Sequence, residues 1–137
     1  MPAQLNILFI GDIVGKPGLE MVTTILKSLL EKYRIDFCVA NGENLTEGKG
    51  LSEEDAKKLF DVGVHVITSG NHVWDRWDSR KVLGGNRNIL RPLNYPRENA
   101  GNGFVIYELV GKAKIGVLNV QGRTYMQPLD DPFKIVD

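Results

Sequence analysis

The chain has 137 residues, 42% hydrophobic and 25% charged, which suits one domain able to bury a real core. Its 17 basic and 17 acidic side chains balance, which excludes a bulk positive field for nucleic acid and a polybasic membrane patch, though a local site for a small nucleotide remains compatible. Cys38 is the only cysteine, so an intrachain disulfide and a Cys-based zinc cluster are both excluded.

Met1-Pro2-Ala3-Gln4 has no charged n-region, and the apolar stretch after it is only strand length, so no signal peptide is expected. No run approaches the roughly 20 apolar residues of a membrane span. The expected location is the cytoplasm, with no membrane partner. Asn6 to Ile10 reads as a buried first strand, and Gly11 to Gly18 as a turn-rich loop. From Leu19 to Tyr33, Met21, Val22, Ile25, Leu26, Leu29 and Leu30 recur at helical spacing. Phe37 to Ala40 is the second strand, with Cys38 as a small buried hydrophobe, and Gly42 to Gly50 is a loop.

Ser52-Glu-Glu-Asp55 resembles a capping box and starts a helix reaching about Val62. Val64 to Thr68 is the third strand. Trp74 to Leu83 holds a short helix stopped by Gly84-Gly85-Asn86. Ile89 to Pro96 reads as extended, loop-rich chain. Phe104 to Val110 and Lys114 to Val120, joined through Gly111, read as a β-hairpin. The opening βαβαβ unit should be parallel with right-handed crossovers and the hairpin antiparallel, all within one domain spanning residues 1–137. Asp131 and Pro132 form a strong helix start with only five residues after the proline, so the chain reads as cut short.

Three strand ends carry chemistry. Gly11-Asp12 follows the first strand, Asn41-Gly42-Glu43-Asn44 the second, and Ser69-Gly70-Asn71-His72 the third. In an open α/β sheet these ends share one edge, where ligands bind. The Gly11 loop is no P-loop, because three residues separate Gly11 from Gly15 and Pro17 follows Lys16. A Gly-x-Gly-x-x-Gly is absent as well, and Ile13 stands where a GDS-type hydrolase has its serine. Asp12 can turn the chain or ligate a divalent cation. Glu43, between two asparagines, is an anionic bridging candidate among neutral oxygen donors. Asn71 can ligate through its amide oxygen, and His72 can protonate a leaving alkoxide or stabilise phosphoryl charge. His65, inside the third strand, is read as structural. Trp74, Trp77 and Tyr95 are read as core or lid residues before base-stacking ones, and Arg91 and Arg123 as solvated surface before phosphate contacts.

Taken together, Phe9-Ile-Gly-Asp-Ile-Val-Gly15, Asn41-Gly-Glu-Asn44, Gly48-Lys-Gly-Leu51, Thr68-Ser-Gly-Asn-His-Val-Trp-Asp75, Leu90-Arg-Pro92, Asn119-Val-Gln-Gly-Arg-Thr124 and Pro128-Leu-Asp-Asp-Pro-Phe133 resemble the YmdB-like branch of the calcineurin-type metallophosphoesterases. That branch includes 2′,3′-cyclic nucleotide phosphodiesterases. The resemblance implies an α/β/β/α sandwich, of which this chain is the N-terminal half: a βαβαβ unit plus a β-hairpin. It also implies a centre of two divalent metal ions, iron or manganese, and a small phosphoester or cyclic nucleotide as substrate. Asp12 matches a ligand of one metal, Glu43 the bridging carboxylate, Asn71 a ligand of the second metal, and Asn44 a member of the metal shell. His72 matches the catalytic histidine. Members of the family are about twice as long, and their second half supplies three further metal-binding histidines that have no counterpart after His72.

The expected activity is therefore metal-dependent phosphodiester hydrolysis. The alternatives are a non-catalytic half-module that binds metal or nucleotide, or a regulatory protein. A third is a metal-free hydrolase using His72 as base, for which neither Ser69 nor Cys38 sits in a recognisable nucleophile context. The sequence leaves a homo-oligomer open.

Overall fold

A computed structural model describes residues 4–137. Met1, Pro2 and Ala3, on which the leader expectation rests, lie outside the described residues. Four parallel strands form one sheet in the order β1 (Ile7–Ile10), β2 (Phe37–Asn41), β3 (Val66–Thr68), β4 (Ile89–Leu90). Helices α1 (Gly15–Lys32), α2 (Glu53–Asp61) and α3 (Ser79–Gly85) fill the crossovers. β5 (Phe104–Leu109) and β6 (Ala113–Leu118) pair antiparallel as a separate hairpin, and α4 (Pro132–Ile135) is a single turn. This is the expected mixed α/β architecture of a βαβαβ unit followed by a hairpin.

Alternation along β2 separates two cores. Cys38 and Ala40 face the helices and join Leu26, Leu45, Leu59, Ile67 and Leu83. Phe37 and Val39 face the other way and join Val66, Leu90 and Val105, with Tyr107, Leu109, Ile115 and Val117 of the hairpin packed against them. Helices, parallel sheet and hairpin therefore stack in three layers. An ion pair between Lys112 in the hairpin turn and Asp36 ahead of β2 pins one end of the stack.

The cap chemistry is local, and it forms as expected. Ser52 accepts a hydrogen bond from the Asp55 N–H at 3.2 Å, and Glu53, Glu54 and Asp55 occupy the positive end of α2. Asp131 caps α4 in the same way, accepting from the Phe133 N–H at 3.0 Å.

Four expectations change. The first strand is not buried: β1 is a sheet edge, with Ile7 54% and Phe9 62% exposed beside the residues the hairpin covers. The first helix starts at Gly15 rather than Leu19, because Pro17 falls in the opening turn, where backbone N–H groups have no helical partner anyway. Ile89–Leu90 is no loop but a short fourth strand, paired with Ile67 and Thr68. In place of one helix from Trp74 to Leu83 there is a 3₁₀ turn, Asn71–Trp74, and then α3, which takes in Gly84 and Gly85.

Candidate functional site

The parallel register Ile10↔Ala40 and Asn41↔Thr68 brings the ends of β1, β2 and β3 to one edge. Backbone bonds hold the loops together there: Ile13 N–H to Asn41 O at 3.1 Å, Gly15 N–H to Asn44 O at 2.9 Å and Gly42 N–H to Thr68 O at 2.9 Å. Asp12, Glu43, Asn44, Asn71 and His72 all lie on these loops.

Four of the five interlock. Asn44 Nδ2 donates to Asp12 Oδ1 at 2.9 Å, and Asn44 Oδ1 lies 2.6 Å from His72 Nδ1. Glu43 Oε1 accepts from the His72 backbone N–H at 3.4 Å and lies 3.5 Å from Nδ1 of the same ring. Asn71 opens the 3₁₀ turn next to His72, half-exposed, and its amide forms no hydrogen bond among the described residues.

Glycine is required behind Glu43. A Cβ on Gly70 would stand 1.9 Å from Glu43 Oε2, so only a residue without a side chain lets the carboxylate fold over the end of β3. A Cβ on Gly50, whose φ is +67°, would meet the His72 carbonyl oxygen at 3.1 Å, so the Glu43–Gly50 loop packs directly on the His72 turn.

Behind the edge lies a polar seam that sequence reasoning did not assign. Asn119 donates through Nδ2 to Ser69 O at 2.7 Å and to Leu90 O at 3.2 Å, tying the end of the hairpin to the ends of β3 and β4. Its sequence signal is only its place in the Asn119–Thr124 block. Arg91 is not solvated surface: it is 5% exposed, and its guanidinium donates to the carbonyl of Pro92 at 2.9 Å. Arg123, by contrast, is exposed and pairs with Asp131 at 3.1 Å. Trp74 packs against buried Tyr95 with ring centroids 5.3 Å apart, while Trp77 is 91% exposed.

Neither candidate nucleophile is free. Ser69 is buried and its Oγ donates to Leu90 O at 2.8 Å. Burial pushes the Cys38 thiol up to about 11. His65 faces away from the edge: its Nδ1 accepts from the Cys38 N–H at 3.0 Å, its ring stacks on Phe37, and burial lowers its pKa.

The carboxylate and amide oxygens of Asp12, Glu43 and Asn71 suit a hard divalent cation. Among the described residues, no three His, Cys, Asp or Glu side chains stand together as a group that could hold a metal ion.

A YmdB-like protein family model matches residues 8–137. The chain belongs to that family. Within and around the family, it is 42% identical over 133 residues to the 2′,3′-cyclic-nucleotide 2′-phosphodiesterase of Bacillus subtilis, a match covering 97% of this chain and 50% of that protein. A crystal structure of a hypothetical protein from Thermus thermophilus superposes with TM-score 0.87 at 40% identity, over 95% of this chain and 50% of its own. The structure of a novel phosphatase from Mycoplasma pneumoniae superposes with TM-score 0.89 at 34% identity, over 99% and 50%. The chain thus spans about half the length of the relatives it matches.

Proposed function

We propose that Asp12, Glu43, Asn71 and His72 form one side of a metal-dependent phosphodiesterase centre acting on small phosphoesters, 2′,3′-cyclic nucleotides foremost. The observation that carries it is the interlocked strand-end cluster of Asp12, Glu43, Asn44 and His72 in a chain of this family. The activity of the Bacillus subtilis relative points to the substrate class.

In this reading Asp12, Glu43 and Asn71 would hold two divalent ions, iron or manganese. When bound, such a pair clamps the phosphate, supplies hydroxide near neutral pH and neutralises developing charge. The chain's own residues do the rest. Gly70 leaves room for Glu43 to stand over the β3 end, and Glu43 in turn holds the His72 backbone N–H. His72 hydrogen-bonds the phosphoryl group or the departing oxygen. The cytoplasm is the proposed compartment, in keeping with the lone buried thiol of Cys38. Among the described residues, no helix is long and apolar enough to cross a membrane.

Hydrolysis of bis-p-nitrophenyl phosphate and of a 2′,3′-cyclic nucleotide, with and without Mn²⁺, tests the proposal. The expected result is turnover that needs the metal and disappears in His72→Ala. Metal-independent turnover, or none, overturns it for this chain.

A second reading has its own observation: no group of three His, Cys, Asp or Glu forms among the described residues. It makes the chain a half-module that binds metal or nucleotide weakly and without catalysis. Metal content after dialysis separates the two, because two tightly held ions per chain contradict the half-module.

A further inference from the structure

The geometry points to Asn44 as a positioning residue that sets which ring nitrogen of His72 carries the proton. A carboxylate only accepts hydrogen bonds, so the Asn44 amide must turn its NH₂ to Asp12, which it meets at 2.9 Å. That leaves the amide oxygen facing His72 Nδ1 at 2.6 Å, and an oxygen there requires Nδ1 to be the donor. Glu43 Oε1, 3.5 Å from the same nitrogen, is a second acceptor. Every polar atom facing Nδ1 is thus an oxygen that accepts, and the neutral ring carries its hydrogen on Nδ1. Nε2, which forms no hydrogen bond among the described residues, then presents a lone pair.

The consequence deepens the phosphodiesterase reading and rests on it. In the metal-free chain His72 can take a proton through Nε2 but has none there to give. An oxygen-seeking cation at the Asp12 carboxylate draws the amide oxygen of Asn44 and repels its NH₂. The amide then turns its NH₂ to His72 Nδ1, which becomes an acceptor and moves the ring proton to Nε2. Metal occupancy and the donor form of His72 are coupled through one side-chain amide.

The molecule contains its own reference. His65 Nδ1 accepts from the Cys38 N–H, so His65 must carry its hydrogen on Nε2. Long-range ¹H–¹⁵N correlation on ¹⁵N-histidine protein, at pH about 9 where free imidazole is neutral, reads both rings at once. The expected spectrum shows opposite patterns: Nε2–H for His65 and Nδ1–H for His72. Two Nε2–H patterns overturn the inference. Asn44→Leu, which leaves only the more distant Glu43 Oε1 at 3.5 Å facing Nδ1, should move the His72 nitrogen shifts toward the Nε2–H pattern and leave those of His65 in place, which also reports that the fold survives. Asn44→Asp keeps an acceptor facing Nδ1 and should keep the Nδ1–H pattern; a swap in this variant counts against Asn44.

Mg²⁺, which is diamagnetic, tests the coupling. At a concentration that shifts the Asp12 carboxyl ¹³C signal, the His72 pattern should convert to Nε2–H, and persistence of Nδ1–H overturns the coupling. This readout is independent of turnover. A chain without phosphodiesterase activity but with opposite histidine patterns sinks the functional proposal alone, and an active chain with two Nε2–H patterns sinks the inference alone.

Discussion

The two ends of β3 carry the two histidines, and their surroundings differ in every respect that matters to imidazole. His65, at the entrance, lies among aromatic rings, with Phe37 stacked at 5.0 Å and Tyr107 edge-on at 5.4 Å, and its Nδ1 receives a backbone N–H. His72, beyond the exit, is flanked by Asn44 and Glu43 oxygens and keeps 35% of its side chain in solvent. One ring completes a core; the other is aimed by polar neighbours and left accessible. Residue type alone does not separate them. Position relative to the strand does, because His65 enters the strand packed between layers while the carboxyl end, where His72 stands, opens to ligands.

The sharpest way to break this contrast is to remove each ring in turn. His72→Ala should reduce metal-dependent phosphodiester turnover by about 10²- to 10⁴-fold, the usual share of a general acid or base, and leave the urea midpoint nearly unchanged. His65→Ala should do the reverse. It strands the buried Cys38 N–H, which costs about 1–3 kcal/mol, and loses aromatic contacts worth roughly 0.5–1.5 kcal/mol. Activity measured below the shifted unfolding midpoint should persist. If His65→Ala abolishes turnover in a folded protein, the division of labour between the two histidines is wrong.

Gly70→Ala attacks the wall between the two regions. Its new Cβ would sit 1.9 Å from Glu43 Oε2, so the carboxylate must leave its place over the strand end. The expected signature is weaker Mn²⁺ binding by calorimetry with little loss of stability, because the group in the way is the movable end of a side chain. Gly84→Ala is the control, since a Cβ there meets nothing within 4 Å. A smaller effect is expected from Ser52→Ala, which removes the side-chain cap of α2 without touching either ring. It should lower stability by about 1 kcal/mol in urea unfolding and leave both histidine environments intact.

Much of this arrangement is legible from residues close together in the chain. Ser52 and Asp131 announce their caps because an N-cap is decided within four residues. The strand-end placement of Asp12, Glu43 and His72 follows from apolar runs ending in Gly and Asn. What escapes depends on distance. Ile89–Leu90 is a strand only because Ile67 and Thr68 lie beside it, and two residues carry no periodicity of their own. Asn119 reaches Ser69 across 50 residues, a bond no local pattern encodes. Arg91 reads as solvated on general grounds, yet carbonyls of its own loop accept its guanidinium. The exposure of Ile7 and Phe9 depends on how far the hairpin reaches, which β1 itself cannot specify. Pro17 misleads for the opposite reason, since it looks like a helix breaker until the helix is known to start two residues earlier.

The smallest effect on the contrast, and the one that isolates His65 from the rest of the core, is a pH dependence of stability. Burial holds its folded pKa below the ordinary imidazole value of 6.5. Below 6.5 the unfolded chain therefore binds a proton that the folded chain resists. The contribution of a neutral, buried His65 is complete above pH 6.5 and is lost as pH falls from there through the folded pKa. Asp55 gives a slope of the same sign in a lower window. Burial raises its carboxyl pKa, but hydrogen bonds from Lys58, Thr46 and Ser52 outweigh that and hold it below 3.8, so its contribution persists to acid pH and then falls. Urea midpoints between pH 8 and 5 should decline in the wild type, and the decline should shrink in His65→Phe, whose ring cannot protonate. An unchanged slope in His65→Phe would place the titration elsewhere and remove the main electrostatic distinction between the entrance of β3 and its exit.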